Sequence, residues 1–133
     1  MTPEAQLFLA KAQEFLSNAK TMMNVGLVND AGRAAYLAGF HAAQAFIFEN
    51  TGKTAKAHSG VQNLFVMMAM TDDRIPVDLR PFISQAYNLK AVADYETGPR
   101  SQIPAEKSEW AIVTAERFLT CITVIVAGPL PLP

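Results

Sequence analysis

Arg33, Tyr36, His41 and Gln44 fall on one apolar stretch, Asp30 to Asn50, which reads DAGRAAYLAGFHAAQAFIFEN. Polar side chains in so apolar a setting must be hydrogen-bonded or used. Histidine exchanges protons near neutral pH, and arginine and lysine hold phosphate. Two later fragments supply groups that complement them, Lys56-Ala57-His58-Ser59 and Lys90-Ala91-Val92-Ala93-Asp94-Tyr95. The candidate set is therefore His41 and His58 for proton transfer, and Arg33, Lys56 and Lys90 for phosphate. Tyr36, Asp94 and Tyr95 would orient them.

Each candidate has a plainer alternative. Arg33 and His41 lie eight positions apart, roughly 12 Å along a helix and roughly 80° around it, so they meet only through another helix or a second copy. His41 is otherwise a half-buried histidine bonded to a neighbour. His58 and Ser59 open a helix, where either side chain would cap free backbone N–H groups; with Lys53 and Lys56 they would instead form a basic corner for phosphate. Lys90 and Asp94 share a helix face at i,i+4, an ion pair worth roughly 0.3–0.5 kcal/mol if exposed. If Asp94 and Tyr95 reach the second helix instead, they would bond Arg33, His41 or Tyr36.

Other chemistries lack their residues. Two histidines and one cysteine at unrelated spacings make no metal set, and no glycine-rich phosphate loop or activated serine is present. No cofactor is expected. Cys121 sits in an apolar run and reads as a small buried hydrophobe. The net charge of −1 excludes a global field for a polyanion, so any RNA or nucleotide contact must be local. No leader segment is apparent. The apolar run Phe118 to Ala127 is shorter than the roughly 20 residues that span a bilayer, so a soluble cytoplasmic protein with no membrane contact is expected.

The 133 residues are 50% hydrophobic and 17% charged, which suits one globular core. Helical periodicity recurs throughout and period-two alternation does not. Thr2-Pro3-Glu4 starts a first helix, with Leu7, Phe8, Phe15, Leu16, Ala19 and Met23 inward, and Gly26 stops it. Asn29 or Asp30 caps a second, ended by Thr51-Gly52. A third covers Ser59 to Met70, with Val61, Leu64, Phe65 and Met68 inward. A fourth runs from Val77 or Leu79 to Tyr95, and a fifth opens at Pro104, with Trp110, Val113, Phe118, Leu119 and Ile122 on its apolar face. The fold class is all-α, an up-and-down antiparallel bundle of four long helices plus one shorter one. It occupies residues 1–128 as a single unit, with an extended proline-rich tail at 129–133. The second helix is dense in alanine and glycine, which fits a central helix or a dimer seam.

The order of these elements resembles the HEPN domain family. The resemblance is carried by Ala35-Tyr36-Leu37-Ala38-Gly39-Phe40-His41-Ala42-Ala43-Gln44-Ala45, then Gly52, a lysine and His58-Ser59, then Ala93-Asp94-Tyr95. It implies an all-α bundle, a homodimer and a place beside a nucleotidyltransferase in toxin–antitoxin pairs. Active members are metal-independent RNases marked by an arginine followed by a histidine after four to six residues. Here seven residues separate Arg33 from His41, and Lys90 stands where relatives commonly carry arginine before Ala-Asp-Tyr. A binding or regulatory module is therefore the expected role. An RNase with a displaced Arg/His pair, or a purely structural interaction partner, is the alternative.

Overall fold

A computed structural model describes residues 1–128, and the proline-rich tail expected at 129–133 lies outside them. Five α-helices follow one another: α1 (Pro3–Asn24), α2 (Val28–Thr51), α3 (His58–Ala69), α4 (Phe82–Tyr95) and α5 (Ala105–Ala127), with a 3₁₀ turn at Gly98–Ser101 before the last. No strand occurs among the described residues. The all-α bundle read from periodicity is the observed fold. Three helices have 22 to 24 residues; α3 and α4 are shorter, at 12 and 14.

The small residues of α2 explain its place. Ala31, Gly32, Ala34, Ala35, Ala38, Gly39, Ala42, Ala43 and Ala45 are all buried within the single chain. They let α1, α4 and α5 approach on different sides, so this stripe serves packing inside the bundle. Fully buried Phe46, Phe65, Phe82 and Phe118 fill the space beyond it. The Phe46–Phe65, Phe65–Phe118 and Phe118–Phe82 ring centroids lie 5.4, 5.2 and 5.6 Å apart, a favourable spacing for edge-to-face and tilted aromatic pairs.

Gly39 fixes how near α4 can come. A Cβ there would lie 2.6 Å from Cε2 of buried Phe82. Gly39→Ala is expected to destabilise the protein by about 1–2 kcal/mol, overpacking exceeding the gain in helix propensity. Urea unfolding checks this, and an unchanged midpoint would disprove the contact.

Thr2 caps α1 as expected, accepting the Ala5 N–H at 3.2 Å, with Pro3 in the first turn. Thr2 also donates its N–H and hydroxyl to the Glu49 carboxylate near the end of α2, which sets α1 antiparallel to α2. Gly52 takes the left-handed conformation that ends α2 (φ 71°). The chain then returns along α2, and Gln44 donates to the Ala55 carbonyl at 2.8 Å. Because residues 53–57 make this return trip, α3 runs in the same sense as α2: His58 meets Tyr36, and Phe65 meets Phe46. The up-and-down alternation is kept by α1, α2, α4 and α5.

Several boundaries differ from expectation. Neither Asn29 nor Asp30 caps α2, since Leu27 holds that position without a side-chain bond. Asn29 instead ties down the segment before α5, donating to the Ser101 carbonyl and accepting the Ile103 N–H at 2.9 Å. The fourth helix begins at Phe82, because Arg80 folds its guanidinium onto the Ile75 and Asp72 carbonyls and holds the preceding residues in turns. Leu7 and Val113 face outward at 71% and 60% exposure, and Trp110 is partly exposed. Cys121 is half-buried, its thiol donating to the Arg74 carbonyl at 3.6 Å. An 18-residue window ending in α5 has a mean hydropathy of 1.6, apolar enough by length and composition to cross a bilayer, and 44% of it is buried in the bundle. The run Phe118 to Ala127 understated this, because Trp110 to Val113 and Ala115 extend the apolar composition N-terminal to it across only Glu116 and Arg117.

Candidate functional site

Side chains from α2, the start of α3 and the end of α4 come together in one polar cluster. From α2, Arg33 and Tyr36 project on one flank, three residues and so nearly one turn apart. From α4, Lys90 and Asp94 project together as an i,i+4 pair. The Asp94 carboxylate accepts Nε–H of Arg33 at 2.8 Å on one oxygen and Nζ–H of Lys90 at 2.7 Å on the other. The Lys90 ammonium also lies 5.2 Å from the centroid of the exposed Tyr95 ring. From the start of α3, His58 places Nδ1 2.7 Å from the Tyr36 hydroxyl, and Gln62 donates to that hydroxyl at 3.1 Å.

The charges follow from these contacts. Its bond from Lys90, with Arg33 adding to it, holds the Asp94 carboxyl below its ordinary range, and the same bond raises Lys90. Burial lowers His58, the Lys90 charge lowers it further, and Asp94 opposes the change. His58 is therefore a neutral imidazole at pH 7. Burial pushes the Tyr36 hydroxyl up to about 12, so it keeps its proton. Arg33 is 41% exposed, and among the described residues only its Nε is bonded. The two terminal amines of its guanidinium remain open to a planar oxyanion.

Most of the expected residues gather here: Arg33, Tyr36, His58, Lys90 and Asp94, with Tyr95 at the rim. His41 does not join them. Its ring stacks on Phe15 of α1 at 5.4 Å, and Phe40 packs against both histidine rings, 5.2 Å from His41 and 4.5 Å from His58. Burial lowers His41 as well, with Lys11 and His58 adding to the effect and its bond to Gln44 opposing it. Lys56 is exposed and makes no hydrogen bond or ion pair among the described residues. The capping role allowed for His58 or Ser59 is corrected: Ala57 occupies the cap position, the His58 ring turns inward, and Ser59 is exposed.

Sequence reasoning missed Gln62, Tyr87 and Phe40 as groups that frame His58. Tyr87 lies 5.8 Å from the His58 ring and 5.4 Å from Tyr36. Gln62 stands four residues after His58, one turn along the same face, and that spacing was its available signal. Among the described residues no three His, Cys, Asp or Glu side chains group as a metal set.

Comparison with known proteins agrees with this architecture. The HEPN domain profile matches residues 5–125. The chain is 33% identical over 116 residues to "Putative toxin MJ0605" of Methanocaldococcus jannaschii, covering 87% of this chain and 84% of that protein. It is 26% identical over 119 residues to "UPF0332 protein glr0978" of Gloeobacter violaceus, covering 90% and 93% respectively. "Putative toxin MJ0142", also of M. jannaschii, is 25% identical over 116 residues, covering 87% of this chain and 77% of its own. The crystal structure of TT1696 from Thermus thermophilus shares the fold, with a TM-score of 0.74 at 20% identity over 92% of this chain and 98% of that one. With a family profile matched across nearly its whole length, the chain belongs to the HEPN domain family.

Proposed function

We propose that this protein is the HEPN component of a toxin–antitoxin pair, and that this polar cluster binds the phosphate of a nucleotide or RNA. One observation carries the binding reading. Asp94 holds Arg33 through Nε alone, which leaves its two terminal amines unbonded among the described residues, in the cluster that also carries charged Lys90 and neutral His58. Such a fork matches two phosphate oxygens. The toxin setting is supported by the descriptions of the two M. jannaschii relatives. On this reading the protein acts in the cytoplasm as a homodimer, with a nucleotidyltransferase as its partner and without a cofactor.

Calorimetric titration with inorganic phosphate and with a mononucleotide tests the site. Arg33→Ala is expected to weaken binding about tenfold or more, the loss of charge-assisted bonds. Lys20→Ala removes an equal charge from the exposed Lys20–Glu116 pair and should leave binding unchanged. Equal affinity in Arg33→Ala and the parent protein would overturn the reading. A second reading, a metal-independent RNase, draws on the two neutral histidines that both pack against Phe40. Cleavage of RNA by the purified protein, abolished in His41→Ala or His58→Ala, would establish it.

A further inference from the structure

The glutamines beside the two histidines determine which ring nitrogen carries the proton. Gln44 bridges two partners: its amide nitrogen donates to the Ala55 carbonyl at 2.8 Å, and its amide oxygen lies 2.7 Å from Nδ1 of His41. A backbone carbonyl only accepts, so the NH₂ end of Gln44 must face Ala55. The oxygen end then faces His41 and also only accepts. Nδ1 of His41 therefore holds the proton, and Nε2 of the neutral ring is left with a bare lone pair.

At His58 the bonding runs the other way. The Tyr36 hydroxyl has one proton, and Gln62 donates its amide N–H to the hydroxyl oxygen at 3.1 Å. The single O–H is then free to point at Nδ1 of His58, 2.7 Å away. Nδ1 becomes the acceptor, and the proton of the neutral ring sits on Nε2. Both rings pack against Phe40, both are neutral at pH 7, and they carry opposite tautomers.

We infer that Gln44 and Gln62 are positioning residues that divide the work of the two histidines, His41 as the proton acceptor through Nε2 and His58 as an N–H donor through Nε2. A neutral N–H donor within the field of Arg33 and Lys90 suits an oxyanion, whereas a bare imidazole nitrogen suits abstraction of a proton. The role of His58 toward an anion rests on the phosphate reading above. The placement of the protons does not, and the two are tested separately.

Long-range proton–nitrogen NMR of the ¹⁵N-labelled, ligand-free protein at neutral pH reads the tautomers directly. Resonances are assigned by their absence in His41→Asn and His58→Asn, and independently by contacts of the His41 ring with Phe15. His41 is expected to show a protonated Nδ1 and an unprotonated Nε2, and His58 the reverse. Gln62→Glu offers the Tyr36 hydroxyl only an acceptor, so the O–H turns to residue 62, Nδ1 of His58 must donate, and the His58 pattern inverts while that of His41 stays. Gln44→Leu removes the acceptor and should give His41 a population protonated at Nε2. A parent protein with His41 protonated at Nε2, or a folded Gln62→Glu variant with the His58 pattern unchanged, would overturn the inference. A correct tautomer pattern together with failed phosphate titration would leave it standing and remove only the anion reading.

Discussion

Phe40→Ala should destabilise the protein by about 3–5 kcal/mol and release both histidines together. The ring is 5% exposed and touches Tyr36, His41 and His58, so its removal opens a cavity among groups that need their surroundings dry. Both imidazoles titrate below the ordinary value of 6.5 in the folded state, chiefly because they are buried. As pH falls through 6.5, the unfolded chain takes up protons at these positions before the folded one does. Stability therefore declines on acidification from about pH 7.5 toward pH 5, and this contribution levels off below the folded pKa values. Water entering the Phe40 cavity would raise both folded values and flatten that slope. Urea unfolding at several pH values reads both effects at once. Phe40→Leu, which keeps most of the volume, should cost less than about 1.5 kcal/mol and keep the slope. A slope as steep in Phe40→Ala as in the parent would show that this ring does not keep the histidines neutral.

The parts of this arrangement legible in the sequence are those whose partners are near in sequence. Thr2-Pro3 and Gly52 announce helix ends because capping is local, and Lys90–Asp94 is visible as one helical turn. The alanines and glycines of α2 announce a central helix because they recur through every turn. The start of α2 is not legible in this way because its chemistry is in the backbone. Gly26 adopts φ 84°, and the Leu27 N–H closes onto the Met22 carbonyl, so the backbone alone ends α1 and places Leu27, not Asn29, at the start of α2. Asn29 is thereby free to bond residues more than seventy positions away, which local spacing does not reveal. The site divides in the same way. The Arg33–Asp94 bond joins residues 61 apart, and only the family resemblance suggests that they meet. His41 and His58 were expected in one cluster, yet His58 alone bonds into it, while Phe40, adjacent to His41 in the chain, packs against both rings. An aromatic on an apolar helix reads as core whether or not it also lines a site.

Asp94→Ala is the second substitution with a large expected effect, since it disturbs two cations and a histidine together. Lys90 has only 10% of its side chain exposed, so loss of the carboxylate leaves an ammonium with little water and no counter-charge. The expected cost is about 2 kcal/mol, below that of a fully buried pair because Asp94 itself is about a quarter exposed. Lys90→Met in the same chain removes the stranded charge and should recover much of that loss, so the double-mutant cycle reports coupling rather than lost packing. The folded-state value of Asp94 lies below its ordinary 3.8. Its stabilisation is therefore present above pH 3.8 and is lost as pH falls through the folded value, so the parent and Asp94→Ala should converge in acid. His58 supplies an independent readout. Asp94 is the charge that favours its protonated form, while Lys90 and Arg33 oppose it. Without the carboxylate only repulsion remains, and an NMR titration should find His58 protonating at a lower pH than in the parent. Unchanged His58 titration in a folded Asp94→Ala protein would mean that the carboxylate and the imidazole do not belong to one electrostatic unit.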